Sequence, residues 1–162
     1  MPIVEVRKNP EALTMTVVAQ FAAPVDRVWA AYADPRQLER FWGPPEWPAT
    51  FVRHDFVVGG RSEYYMTGPN GDKPRGYFQF LVVDAPHAFE VQDGFLGADG
   101  APAPGMPTMR MRFTFEPYNG GTRMMTLTSF PSAEALEQLL GMGMEEGMGA
   151  AMAQIDGVLA EA

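Results

Sequence analysis

Met109, Met111, Phe113 and Phe115 alternate with Arg110, Arg112, Thr114 and Glu116. This period of two predicts a strand over 108–116 with one apolar and one wet face. Shorter stretches of the same kind surround it. Residues 49–57 and 61–67 flank Gly59-Gly60, 75–84 and 88–93 flank the turn at 84–87, and 122–130 follows Asn119-Gly120-Gly121, so each pair is separated by turn chemistry. Residues 13–23, rich in β-branched side chains and closed by Pro24, read as the first strand. The period then changes to that of a helix: Val25, Val28, Trp29 and Tyr32 recur on one face until Asp34-Pro35, and Leu38 and Phe41 mark a second short helix before Gly43-Pro44-Pro45.

After Pro131-Ser132 the pattern predicts one long final helix with Ser132 as its N-cap. Leu136, Leu140, Gly143, Gly147, Ala151, Ile155 and Val158 form its apolar stripe, and this stripe is expected to face the sheet. The order of elements defines an α+β domain in which a curved antiparallel sheet buries one face beneath that helix. Residues 94–107 are rich in Gly, Ala and Pro and are expected to form a long loop, mobile or functional, near the mouth of whatever the helix covers.

Gly141, Gly143, Gly147 and Gly149 lie inside the final helix, where each costs about 0.8–1 kcal/mol relative to alanine. Two compensations are open: close approach of the helix backbone to the sheet, or room for a ligand. Met142, Met144, Met148 and Met152 nearby supply the flexible thioether surface of an adaptable site.

Composition narrows the function classes. With 12 Lys and Arg against 20 Asp and Glu, the net charge is −8, which repels a phosphate polyanion, and nucleic acid is not an expected partner. The chain has no cysteine, which removes thiolate nucleophiles, disulfides and Cys-ligated metals and agrees with a reducing, cytoplasmic setting. Residues 1–11 lack the apolar core of a secretory signal, and no apolar run approaches the ~20 residues of a membrane span. The length of 162 residues suits a single domain over 1–162.

Candidate chemistry is sparse. His54 shares a strand with Val52 and Phe56, all three expected on the inner face, while His87 sits in a turn. Neither has a second ligand at metal-binding spacing, so no metal or other cofactor is expected. Tyr64, Tyr65 and Tyr77 offer phenols, Arg53 and Asp55 read as a surface ion pair, and Arg110 and Arg112 as solvated cations. The strongest signal is apolar. Trp29, Trp42, His54, Phe78, Phe80, Met109, Met111, Phe113, Met144 and Met148 all come from elements expected to enclose the space under the last helix, and such a lining suits a ligand cavity.

Several blocks carry a family resemblance: Pro24-Val25-Asp26-Arg27-Val28-Trp29, Asp34-Pro35, Arg40-Phe41-Trp42-Gly43-Pro44, Gly59-Gly60-Arg61, Phe130-Pro131-Ser132-Ala133-Glu134 and Met142-Gly143-Met144-Glu145-Glu146-Gly147. In this order, from about residue 15 to about 160, they resemble the heat-shock protein 90 ATPase activator homologues of the START-like (SRPBCC) superfamily. The resemblance implies a helix-grip, Bet v 1-like fold, with a cavity between a curved sheet and a long C-terminal helix. It also implies relatives that bind lipids, hormones or polyketides, some of them catalysing cyclisation or dehydration. The family name derives from eukaryotic co-chaperones that carry an additional N-terminal module, whereas only some dozen residues precede the similar region here.

The leading expectation is non-catalytic binding of a small apolar or aromatic molecule. Behind it stand a cofactor-independent enzyme using His54 or a tyrosine, and a chaperone-binding adaptor. Trp47 and the methionine-rich segment offer apolar surface for a homodimer.

Overall fold

The computed structural model describes residues 2–161. Eight strands form one antiparallel sheet in the order β1-β2-β8-β7-β6-β5-β4-β3. They are β1 (Ile3–Asn9), β2 (Thr14–Phe21), β3 (Ala49–His54), β4 (Arg61–Met66), β5 (Arg75–Asp84), β6 (Ala88–Leu96), β7 (Met109–Tyr118) and β8 (Gly121–Ser129). Helices α1 (Val25–Ala33) and α2 (Pro35–Trp42) separate β2 from β3, and α3 (Ala133–Gly141), α4 (Met144–Met152) and α5 (Ile155–Leu159) follow the sheet. This is the expected α+β, helix-grip arrangement, in which the curved sheet wraps the C-terminal helices.

The alternation in β7 places Met109, Met111, Phe113 and Phe115 in the core and leaves Arg110 and Arg112 outside. Both arginines pair there with Glu90, at 3.5 and 3.2 Å. Asp34 does not simply break a helix. Its carboxylate accepts from the Arg36 N–H at 2.9 Å and caps α2, with Pro35 in the first turn, where its missing N–H is no loss. Ser132 caps α3 as predicted, accepting from the Ala135 N–H at 3.0 Å. Among the described residues, no helix is long and apolar enough to cross a membrane.

Four features depart from the sequence reading. The sheet gains β1, whose Glu5, Arg7 and Lys8 give it the charged look of a loop; β1 lies at the sheet edge, where charge discourages pairing with other chains. A bulge between Phe51 and Arg53 breaks the alternation of β3, so Val52 is turned out and is 64% exposed while His54 stays inside. The bulge also leaves Arg53 outside, paired with Asp55 at 2.7 Å. Strand β6 runs to Leu96, through residues read as loop. Gly94 belongs there because its partner Tyr77 lies across it: a Cβ at Gly94 would stand 2.9 Å from the tyrosine ring.

The fourth departure is in the helical cover, which spans Ala133 to Leu159 in three pieces. At Gly143 the backbone turns left-handed, with φ of 87°, a conformation open to glycine at little cost. Between α4 and α5 the chain stays close to helical. The remaining glycines do not bring the backbone onto the sheet. A Cβ built on Gly141, Gly147 or Gly149 meets nothing within 4 Å, so close approach is not what compensates their cost. Gly149→Ala is therefore expected to stabilise the protein by about 0.5–1 kcal/mol, read as a higher urea midpoint. A lower midpoint would mean that α4 needs the glycine backbone at this position.

Candidate functional site

The inner face of the sheet is divided in two. At one end the aromatic side chains fill the space: Phe89 stacks on Phe113 with centroids 4.5 Å apart, and Trp29 stacks on Phe56 at 5.2 Å while meeting Phe89 and Phe115 edge-on. At the other end, beneath α3 and α4, lies a cavity of about 320 Å³. Tyr32 and Trp42 line both this cavity and a void of about 10 Å³ on the packed side, and so form the partition between the two halves. The small void approximates the space of a single water molecule.

Of the residues expected to line a ligand site, Trp42, Met109, Met111, Phe113, Met144 and Met148 are on the cavity wall. Trp29, His54, Phe78 and Phe80 are not. They share the inward direction of the lining residues but lie in or beside the filled half, where Phe80 contacts Phe56 and Phe78, and Phe78 stands behind Trp42 at 5.2 Å. Sheet register alone gives the face and not the depth, and the Tyr32–Trp42 partition decides which inward residues meet open space. Of residues 94–107, expected as a loop near the mouth, Phe95 is on the wall as part of β6, and 97–107 contribute nothing to it. They fold back on β6 through Gly97 N–H to Ala101 O and Ala103 N–H to Phe95 O, at 2.8 and 2.9 Å.

His54 has a structural assignment. Nε2 lies 3.0 Å from the Tyr32 carbonyl, and Nδ1 lies 2.6 Å from Ser62 Oγ. A carbonyl only accepts, so Nε2 carries the proton, and Nδ1 accepts from the serine hydroxyl. Burial holds the imidazole pKa below its ordinary value, in keeping with a neutral ring. His54 thus ties β3 and β4 to the end of α1, with both nitrogens engaged. His87 lies in the turn between β5 and β6, and the described residues contain no cluster of three or more His, Asp or Glu suited to a metal.

The wall contains one acidic residue, which the sequence reading passed over. Phe89, Val91, Asp93 and Phe95 occupy alternate positions of β6, so Asp93 takes an apolar place in the strand's register. Its cross-strand partners are Phe78 on β5 and Met109 on β7. The side chain is buried, and Oδ1 has no hydrogen-bond partner among the described residues. Desolvation pushes its pKa up to about 7, which the Gly94 N–H offsets only in part. Tyr64 stands on the same wall, and burial together with the Asp93 charge pushes its phenol pKa upward. Its ring lies over Gly76, where a Cβ would come within 2.5 Å of the hydroxyl. The sequence signal for Asp93 was its parity: an acid in step with Phe89 and Val91.

On the helical side, Met142, Gly143, Met144, Gly147, Met148 and Met152 complete the wall. Lys8 of β1 donates to Glu145 at 2.7 Å and ties α4 to the sheet edge. Trp47 is half-buried, and a Cβ at Gly68 would lie 2.5 Å from its ring.

A curved antiparallel sheet closed over C-terminal helices, with a cavity between them, defines a START-like helix-grip protein. Residues 22–160 match the family described as Activator of Hsp90 ATPase homolog 1-like protein, and the chain belongs to that family. A protein from Arthrobacter aurescens, solved by NMR, is similar at 50% identity over 98% of this chain and 92% of its own, with a TM-score of 0.93. The crystal structure of protein Ms6760 from Mycobacterium smegmatis is similar at 47% identity over 99% of both chains, with a TM-score of 0.91. An AHSA1 protein from Silicibacter pomeroyi shares the fold at 19% identity, covering 91% of this chain and 97% of its own, with a TM-score of 0.72. No functionally curated protein matches the chain.

Proposed function

We propose that this protein binds one small, mainly apolar molecule in the cavity between the sheet and α3–α4. The observation that carries this reading is the 320 Å³ of space walled by methionine and aromatic side chains. A core of this composition normally closes to the density of an organic crystal, and the other half of the same sheet does so. The volume falls at the lower end of natural ligand sites, about 300–1,000 Å³, and fits a molecule of two or three fused rings. The methionines on the helical wall adapt to ligand shape at small cost. The space that is open above Gly147 on the cavity wall gives this helical glycine a purpose consistent with binding.

The test is a fluorescence titration with N-phenyl-1-naphthylamine, which brightens on entering an apolar site. Saturable one-to-one binding is expected. Gly147→Phe places a ring where nothing lies within 4 Å, and should weaken the reporter at least about tenfold, a loss of about 1.4 kcal/mol, with the melting temperature retained. Unsaturable binding, or equal affinity in the folded variant, would sink the reading.

A further inference from the structure

We propose that Asp93 is the specificity-determining residue of the cavity, and that the ligand is an apolar molecule carrying a hydroxyl or amine hydrogen-bond donor that meets this carboxylate. The inference rests on the cavity-binding reading and deepens it. Five buried side-chain polar atoms lack a hydrogen-bond partner among the described residues: Arg61 Nε, Asp93 Oδ1, Arg123 Nε and the hydroxyls of Thr126 and Thr128. Only Asp93 belongs to a residue on the cavity wall. Buried polar groups are nearly always satisfied, and an unpartnered one calls for an explanation.

Among the described residues no group donates to Asp93 Oδ1, although Tyr64 and Trp42 share the wall. The wall contains no Lys, Arg or His. The strand fixes Asp93 between Phe78 and Met109, neither of which can donate. A carboxylate in this position destabilises the empty fold, because burying a charge without a partner is costly, whereas Ala or Val would fit the alternation of β6. A donor on the ligand removes that cost on binding. A ligand without a donor leaves the cost in place, or even raises it by displacing water. Selection by such a group works by rejection: a site built to hydrogen-bond a substrate discriminates strongly against the analogue that lacks the group. The Asp93 carboxyl, with a pKa near neutrality, accepts from the ligand in its charged form and retains an acceptor oxygen when protonated. Tyr64, on the same wall, offers a phenol for a second polar contact to the ligand.

The experiment compares 2-naphthol with 2-methoxynaphthalene, which have the same ring system with and without the donor, as competitors of N-phenyl-1-naphthylamine at pH 7. In the wild type 2-naphthol should bind at least about tenfold more tightly. In Asp93→Leu the ratio should fall to near one. In Asp93→Asn it should also shrink, because the amide N–H can donate to the ether oxygen, and this isosteric variant serves if the leucine variant does not fold. Equal affinity in the wild type would overturn the proposal, since a bound water then serves the carboxylate as well as a ligand does. An unchanged ratio in the folded variants would overturn it too, placing the selectivity elsewhere on the wall. If the reporter saturates but neither naphthyl compound displaces it, Asp93 does not select this class and the proposal falls while the cavity reading stands. If the reporter itself does not saturate, the cavity reading fails and the proposal with it.

Discussion

Asp93→Asn is expected to make the protein more stable at pH 8, by about 2–4 kcal/mol, and to change it by less than about 1 kcal/mol near pH 4.5. The sign follows from proton binding. An aspartate in the unfolded chain titrates near 3.8, whereas burial raises Asp93 in the folded protein to about 7. Between these values the folded state holds a proton that the unfolded state has released, so raising the pH disfavours folding. The destabilisation begins near pH 4, grows until about pH 7 and is constant above it. Asparagine keeps the shape and removes the charge, so its advantage follows the same curve. Its amide must itself be partly satisfied, which is why the lower part of the range is included. Urea denaturation of both proteins at the two pH values measures the difference. A variant less stable than the wild type at pH 8 would show that the carboxylate is partnered in the folded protein, and would remove the basis for assigning it to a ligand.

The second large effect distinguishes the two halves of the interior. Phe89→Ala should cost about 3–5 kcal/mol, whereas Met148→Ala should cost less than about 1 kcal/mol. Phe89 is 4% exposed and is stacked on Phe113, with Trp29 and Phe56 edge-on at 5.8 and 5.3 Å. Its removal leaves a void whose walls are held by other rings. Met148 is only half-buried and faces space that is already open, so its truncation enlarges a cavity instead of creating one. Urea midpoints at one pH separate the cases. Similar losses at both positions would mean that the interior is packed throughout, and that the space beneath α4 closes in solution.

Much of the architecture was readable because apolar periodicity records which face is buried. The alternation through β7 gave its strand and its inner residues directly, and the switch to helical spacing at Pro24 located α1. Ser132 formed the cap predicted for it. What periodicity does not record is depth along a face. Phe80 and Met111 are both apolar and inward, yet one is in the filled half and the other on the cavity wall, because Tyr32 and Trp42 come between them from separate helices. The bulge at Val52 and the glycine at position 94 were hidden for a related reason: each is set by a neighbouring strand and not by the local sequence. Asp93 was legible in principle. It was passed over because an acid at a strand's end looks like solvent-facing polarity until the strand is known to continue to Leu96.

The wall formed by Tyr32 and Trp42 has a consequence for how this chain can change over generations. Mutations on its crowded side bear on whether the protein exists at all. On the hollow side, positions of the helical wall such as Gly147 and Met148 border open space, and their replacement leaves the scaffold standing. A lineage can therefore reshape the hollow through a few substitutions, without first accumulating reserves against unfolding.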